Sequence, residues 1–170
     1  MTMEKTAGKA WVFGDDIDTD VLAPGLYMKG SLDDMASHCL EAIDPEFAGN
    51  VGEGDTVVAG ANFGIGSSRE QAAQVLRHLG VRALVARSFG GIFYRNALNF
   101  GLVAVTCADA GRVRPGDRIE VDPGEGAIAN ITRNEAYACD ALPAQLLAMV
   151  ADGGLVPHLE KKLAETSGGR

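Results

Sequence analysis

A chain of 170 residues with 46% apolar side chains and no low-complexity tract can bury a core as one domain, or as one domain with a C-terminal extension. Its net charge of −8, with 6% aromatic residues and no basic stripe, argues against nucleic acid as a partner. No apolar run is long enough to cross a membrane, and Met1-Thr2-Met3-Glu4-Lys5 lacks the basic and apolar regions of a signal peptide, so no membrane association and a cytoplasmic address are expected.

Residues 1–9 are expected to be a frayed start, and Ala10-Trp11-Val12-Phe13-Gly14 reads as a first strand. Asp15, Asp16, Asp18 and Asp20 crowd the next stretch, which lacks the glycine and closing glutamate of a calcium loop. It reads as an acidic surface loop whose end, Thr19-Asp20, is drawn toward the core by Val21 and Leu22. Pro24-Gly25 signals a turn, and Leu26-Tyr27-Met28-Lys29-Gly30 an exposed loop. Ser31 is placed to cap a helix with Asp33 and Asp34 in its first turn and Leu32, Met35, Ala36, Cys39, Leu40 and Ile43 on its apolar face. His38 reads as a satisfied histidine at the polar edge of that helix, which Asp44-Pro45 ends.

The centre of the chain is a strand over 56–61, a helix over about 69–79 closed by Gly80, and a strand over 81–86, a parallel β-α-β unit with a right-handed crossover. Its joining turn holds Gly60, Gly64 and Gly66, which allow positive φ and close approach of a ligand, and a helix start with unpaired N–H groups that favour anions. Two capping boxes overlap there, Ser67 with Glu70 and Ser68 with Gln71. Only one serine can cap. If Ser68 does, Ser67 faces whatever the loop cradles and Arg69 stands one residue inside the helix; the plainer alternative is two caps and a solvated arginine. An arginine beside a glycine loop in an acidic chain points to a small anionic ligand. The loop is no P-loop, because Gly60 to Gly66 is one residue too long and no lysine follows. It is no nucleophile elbow either, because no glycine follows the serine, and its glycine spacing is wrong for a dinucleotide fingerprint.

Ser88-Phe89-Gly90-Gly91 leads into a helix over 92–100, stopped by Gly101, and a strand over 102–106. Beyond the Arg114-Pro115-Gly116-Asp117 turn, 118–121 and 127–132 alternate as antiparallel strands linked by Asp122-Pro123-Gly124-Glu125-Gly126. Pro143 starts a helix whose face is Leu146, Leu147, Met149 and Val150 and whose end is Gly153-Gly154. A last helix over 157–165 precedes a disordered tail. Cys39, Cys107 and Cys139 are odd in number and widely spaced, so they read as buried thiols, and any metal chemistry must come from another chain.

Gly64-Ile65-Gly66-Ser67-Ser68-Arg69-Glu70-Gln71-Ala72-Ala73, with Arg77-His78-Leu79-Gly80, Ser88-Phe89 and Ile92-Phe93-Tyr94-Arg95-Asn96-Ala97, resembles the swivelling domain of the aconitase superfamily. Gly14-Asp15-Asp16-Ile17-Asp18-Thr19-Asp20 and His38-Cys39-Leu40-Glu41-Ala42-Ile43-Asp44-Pro45-Glu46-Phe47 resemble its free-standing form, the small subunits of the 3-isopropylmalate dehydratase type, and the similarity runs from about residue 10 to about 155. The resemblance implies an α/β swivelling β/β/α domain: a mixed, partly parallel sheet flanked by helices, with a C-terminal hairpin-helix extension. It implies one domain over 1–170, with its core at 10–155 and a helix and tail at 156–170.

The implied activity is that of a hydro-lyase, isomerising 2-isopropylmalate and 3-isopropylmalate by dehydration and rehydration in leucine biosynthesis. No cofactor is then bound by this chain; a [4Fe-4S] cluster belongs to a large iron-sulfur subunit, joined in a heterodimer or heterotetramer, and a homo-oligomer of the chain alone is allowed. The small hydroxy di- or tricarboxylic acid would meet Ser67 as the base for the carbon-bound proton and Arg69 at a carboxylate. Ser68 and Gly66 would assist through the loop, and Asp20 resembles an active-site aspartate. The loop Tyr27-Met28-Lys29-Gly30 matches the one that tells substrates apart. Lys29 either faces a distal carboxylate, which keeps homocitrate-, citrate- or 2-alkylmalate-type substrates open, or points to solvent. Ser88-Phe89-Gly90-Gly91 lacks the arginine that many relatives carry near Gly91. A reading of another class, a non-catalytic anion-binding or regulatory module with Ser67 as a mere cap, also stands at this point.

Overall fold

In the computed structural model, which describes residues 5–168, the order of the strands follows from two kinds of sequence texture. The short apolar runs form β2 (Thr56–Ala59), β3 (Ala83–Ala86) and β4 (Val103–Thr106), nearly all of whose residues are buried, as parallel strands covered on both faces require. The alternating segments form β5 (Arg118–Asp122), β6 (Ala127–Asn130) and β7 (Glu135–Ala138), antiparallel and wet on one face. One strand, β1 (Thr6–Val12), joins the halves. Its residues Ala10, Trp11 and Val12 pair in parallel with β2, while Thr6, Ala7, Gly8 and Lys9 pair antiparallel with β5. The result is a seven-stranded sheet in the order β4-β3-β2-β1-β5-β6-β7.

Residues 5–9 are therefore not frayed, and the first strand begins at Thr6. Nothing apolar marks Thr6-Ala7-Gly8-Lys9 as a strand; its partner is a distant segment, and Gly8 is required because a Cβ there would strike the Gly54 carbonyl. Residues 1–4 lie outside the described residues. The expected C-terminal hairpin is a three-stranded meander, since little in the composition of β7, Glu135-Ala136-Tyr137-Ala138, marks it as a strand. Inside it Asn130 donates to Asp117 Oδ2 (2.8 Å) and Tyr137 Oη (3.2 Å), and the tyrosine donates to Glu135 Oε2 (2.7 Å).

The helices are α1 (Thr19–Leu22), α2 (Leu32–Ser37), α3 (Phe47–Asn50), α4 (Gln71–His78), α5 (Gly91–Asn99), α6 (Ala144–Ala151) and α7 (Leu155–Ser167). Contacts run from α1 and α2 to α4, from α4 to α5, and from α5 to α6 and α7. Ser31 caps α2 as expected, accepting the Asp34 N–H at 3.1 Å. The helix stops at Ser37 rather than continuing to residue 43, because Leu40 takes a left-handed φ of 62° and gives its N–H to the Val21 carbonyl (3.0 Å). The last helix starts at Leu155 and runs through Ser167, so the expected tail keeps only Gly168 among the described residues, and residues 169–170 lie outside them.

Candidate active site

The loops that follow β1, β2 and β3 leave the same end of the parallel strands and are stitched side by side. Asp16 N–H reaches Ala61 O (2.8 Å), Gly64 N–H reaches Ile17 O (2.7 Å) and Thr19 N–H reaches Ile65 O (2.9 Å). On the other flank Phe63 N–H meets Ser88 O (3.0 Å) and Gly90 N–H meets Phe63 O (2.9 Å). Side chains complete the seam: Asp15 Oδ1 accepts from Ala61 N–H (2.7 Å), Asn62 Nδ2 donates to Asp16 Oδ1 (2.8 Å), and Ser88 Oγ accepts from Asn62 N–H (2.8 Å). Asp18 caps α1 through the Val21 N–H (2.9 Å). Three of the four clustered aspartates are thus structural. Gly64 sits at φ +83° with the Phe93 ring where a side chain would go, whereas Gly60 is not left-handed and only leaves room for the Asp15 carboxylate.

The second half of the glycine loop is different. Among the described residues no backbone N–H from 66–71 donates a hydrogen bond; the first to do so are Ala72, to Arg69 O (3.2 Å), and Ala73, to Glu70 O (3.1 Å). Both capping boxes fail. Glu70 occupies the cap position of α4 with helical angles (φ −63°, ψ −25°), and no side chain closes the end. Because Glu70 already turns helically and the Arg69 carbonyl accepts the first amide bond of the turn, from Ala72, the serines fall upstream of it, and Arg69 precedes α4 rather than standing inside it. Gly66, Ser67 and Ser68 are all exposed, around a backbone kept open by Gly66 at φ +106°.

Beside this run of free amides the Arg69 guanidinium is pinned. Its Nη1 donates to Asp20 Oδ1 (2.6 Å) and to Ala23 O (3.1 Å), and Asp20 Oδ1 also accepts the Gly25 N–H (3.0 Å). The hydrogen bond from Arg69, and then that from Gly25, hold the Asp20 carboxyl below the usual carboxylate range. Nη2 and Nε make no hydrogen bond among the described residues, so the arginine keeps a free edge for a planar anion. The set offers a carboxylate site and, one residue from it, a free hydroxyl. A cavity of about 310 Å³ lined by Ser88, Phe89, Gly91, Tyr94 and Thr106 opens beyond the neighbouring loop.

Residues 32–110 match the family model of the aconitase C-terminal domain. The methanogen homoaconitase small subunit of Methanothermobacter thermautotrophicus is 47% identical over 158 residues, covering 92% of this chain and 91% of that one. The chain belongs to the family of aconitase-type dehydratase small subunits. The 3-isopropylmalate dehydratase small subunit of Moorella thermoacetica is 44% identical, covering 92% of this chain and 95% of that one. A crystal structure of 3-isopropylmalate dehydratase from Methanocaldococcus jannaschii has the same fold, with a TM-score of 0.90 and 40% identity over 98% of this chain and 100% of that chain. The α/β fold with a mixed, partly parallel sheet flanked by helices is therefore that of these small subunits.

Of the residues singled out in the sequence, the fold brings Asp20 into direct contact with Arg69, and the Thr19–Ile65 bond sets Gly66, Ser67 and Ser68 next to that pair. Lys29 is exposed, makes no ion pair among the described residues, and lies on the loop whose first residue, Gly25, touches Asp20. Two members of the site went unread in the sequence, the Gly25 amide and the Ala23 carbonyl; the only sign of them was the Pro24-Gly25 turn. Among the described residues no group of three His, Cys, Asp or Glu side chains could hold a metal. The three cysteines form no such group, and burial pushes the Cys39 thiol far up in the core, lifts Cys139 to about 11 and moves Cys107 in the same direction. No helix among the described residues is long and apolar enough to cross a membrane.

Proposed function

We propose that this chain is the small subunit of a hydro-lyase that isomerises 2-isopropylmalate and 3-isopropylmalate by dehydration and rehydration in leucine biosynthesis, working with a large iron-sulfur subunit in the cytoplasm. The observation that carries the site assignment is the continuous run of amides at 66–71 that are unpaired among the described residues, flanked by the half-free Arg69 guanidinium. A substrate carboxylate binds Nη2 and Nε of Arg69 and the open amides of Gly66 and Ser68. Asp20 fixes the guanidinium plane, and the Gly25 amide fixes Asp20. Ser67 Oγ then takes the proton from the carbon beside the hydroxyl-bearing one and returns it when water adds back on the neighbouring carbon. The leaving hydroxyl needs a Lewis acid, which the large subunit's cluster supplies. The chain acts as one swivelling domain that carries these groups to the partner.

A second reading within the same chemistry is a homocitrate-type substrate. The specific observation in its favour is Lys29, an exposed cation with no ion-pair partner among the described residues, on the loop that starts at the Asp20–Arg69 pair. An isopropyl group calls for an apolar lining there, and a distal carboxylate for a cation. The complex reconstituted with its large subunit should turn over 2-isopropylmalate in preference to homocitrate and citrate, with this chain alone inactive. Preference for the tricarboxylate, reversed by Lys29→Ala, selects the second reading; binding of hydroxy acids without turnover by the intact complex selects a non-catalytic module.

A further inference from the structure

The loop that carries Lys29 is nearly unsupported. Leu26 is 84% exposed, Lys29 and Gly30 are exposed, and only Tyr27 and Met28 pack inward. Its internal bonds make a tight turn: Tyr27 N–H to Pro24 O (3.0 Å), Met28 N–H to Gly25 O (3.3 Å) and Gly30 N–H to Tyr27 O (3.0 Å). Above its base at the Asp20–Gly25 bond such a turn is bonded only to itself, so without an outside hold it opens and swings. What stops it is a ring pair. The Tyr27 phenol lies on the His38 imidazole with centroids 3.5 Å apart and planes 3° from parallel.

That overlap is almost complete, and two neutral rings prefer an offset. The imidazole is held in place from its edges instead. Nδ1 meets Glu41 Oε2 at 2.6 Å, and Nε2 lies 3.9 Å from Asp34 Oδ1. His38 directly follows α2, Asp34 lies within it, and Leu40, locked in its left-handed turn by Val21 O, precedes Glu41, which meets the Nδ1 edge of the ring. Burial, then the Glu41 charge and hydrogen bond and the Asp34 charge, raise the Tyr27 phenol above its ordinary value, so it faces His38 as a neutral ring.

We infer that His38, held by Glu41, is the positioning residue that sets loop 25–30, and with it Lys29, against the substrate end of the Asp20–Arg69 pair. It touches neither substrate nor reacting atoms; it acts through Tyr27. This rests on the proposed dehydratase reading only for its kinetic consequence. Hydrogen exchange on the isolated chain reads the clamp itself: His38→Ala should speed exchange of the Tyr27, Met28 and Gly30 amides about three- to tenfold, the size of one aromatic pair, while amides of β2 and β3 keep their rates. His38→Phe, which keeps an aromatic ring but loses the bond to Glu41, should bring exchange only part of the way back. In the reconstituted complex His38→Ala should raise KM by a similar factor with kcat little changed, Tyr27→Ala should do the same, and the double variant should be no worse than either single. Unchanged loop exchange in both single variants overturns the clamp. Faster exchange with an unaltered KM overturns its role in substrate placement. A wild-type complex with no dehydratase activity sinks the functional reading instead, and leaves the exchange result to judge the clamp.

Discussion

Replacing Ser67 with alanine removes one hydroxyl and nothing else, and its two consequences separate cleanly in this structure. Ser67 is exposed and does not cap α4. The stability cost is then that of an ordinary surface change, within about 0.5 kcal/mol, rather than the roughly 1 kcal/mol of a lost cap. For a chain of this size 1 kcal/mol moves Tm by about 2–4 °C, so Tm should shift by no more than about 2 °C. Turnover should respond very differently. A positioned base contributes about 10²–10⁴ in rate, or roughly 3–5 kcal/mol of barrier, so kcat of the reconstituted complex should fall by that factor. KM should hold, because Arg69 and the free amides remain. The assay is the initial rate of formation of the unsaturated acid, followed by its ultraviolet absorbance, with Ser68→Ala as the control expected to lose about tenfold or less. A kcat for Ser67→Ala within about threefold of wild type would refute the base assignment. A fall in Tm of more than about 4 °C would show that the serine supports the fold after all.

Three further outcomes follow from the core and the charges. Thr56 lies fully buried in β2 with a hydroxyl that has no partner among the described residues, so Thr56→Val, of the same shape, should stabilise by about 1 kcal/mol and raise Tm by about 2–4 °C; a lower Tm would mean that the hydroxyl is satisfied. Gly64→Ala should destabilise, since the φ of +83° costs about 1–2 kcal/mol for a side chain and displacing the Phe93 ring about 1–3 more; calorimetry should show a loss of roughly 4–20 °C in Tm, and an unchanged value would contradict the packing described. Stability should hold from pH 8 to about 5 and fall below about pH 4, because carboxyls are depressed in the fold: Asp20 by Arg69, Asp152 by His158 and then Lys161, and Glu135 by the Tyr137 hydroxyl. Folded values below unfolded ones add stability that is present above the unfolded pKa and disappears as pH drops through the folded one, so thermal unfolding whose loss begins above pH 5 would contradict this assignment.

The parallel half of the sheet was readable because a strand buried on both faces must be apolar along most of its length, and Thr56–Ala59, Ala83–Ala86 and Val103–Thr106 are, with one threonine in each of the first and last. Thr6 to Lys9 and Glu135 to Ala138 were not, since their pairing comes from partners remote in the chain or from a neighbour across a turn, and their composition carries little of it. Leu40 shows the same limit locally: nothing about a leucine announces a left-handed turn that only the Val21 carbonyl makes worthwhile. At the site the glycine loop was plain, whereas the contact between Asp20 and Arg69 spans 49 positions and depends on the bonds, Thr19–Ile65 among them, that bring the two loops together. The capping boxes misled for a related reason. A Ser-x-x-Glu pattern says that a cap is available, but the helix begins where its backbone first turns, and here that is after both serines.

That late start is what makes the loop usable. A serine spent on a helix amide would offer neither a free hydroxyl nor free N–H groups, and the structure keeps both. Yet Gly66, Ser67 and Ser68 face water. A helix N-terminus contributes only about 0.3–1 kcal/mol at an exposed site, and at most about 2 in a partly buried one, against roughly 1.4 kcal/mol for each pKa unit. That falls short of making a hydroxyl a base near neutral pH. Arg69 adds its charge, but two charges 4 Å apart attract by about 1 kcal/mol in bulk water and about 4 kcal/mol near a protein surface, and Asp20 offsets part of it. The remedy is cover. A partner that closes over the loop excludes water, strengthens every one of these interactions together, and can add cations on the open side of Ser67. On the proposed assignment the arrangement is half of a catalytic site by its electrostatics: Asp20 and Gly25 hold the arginine ready, and Ser67 becomes a competent base only when a second subunit removes the solvent.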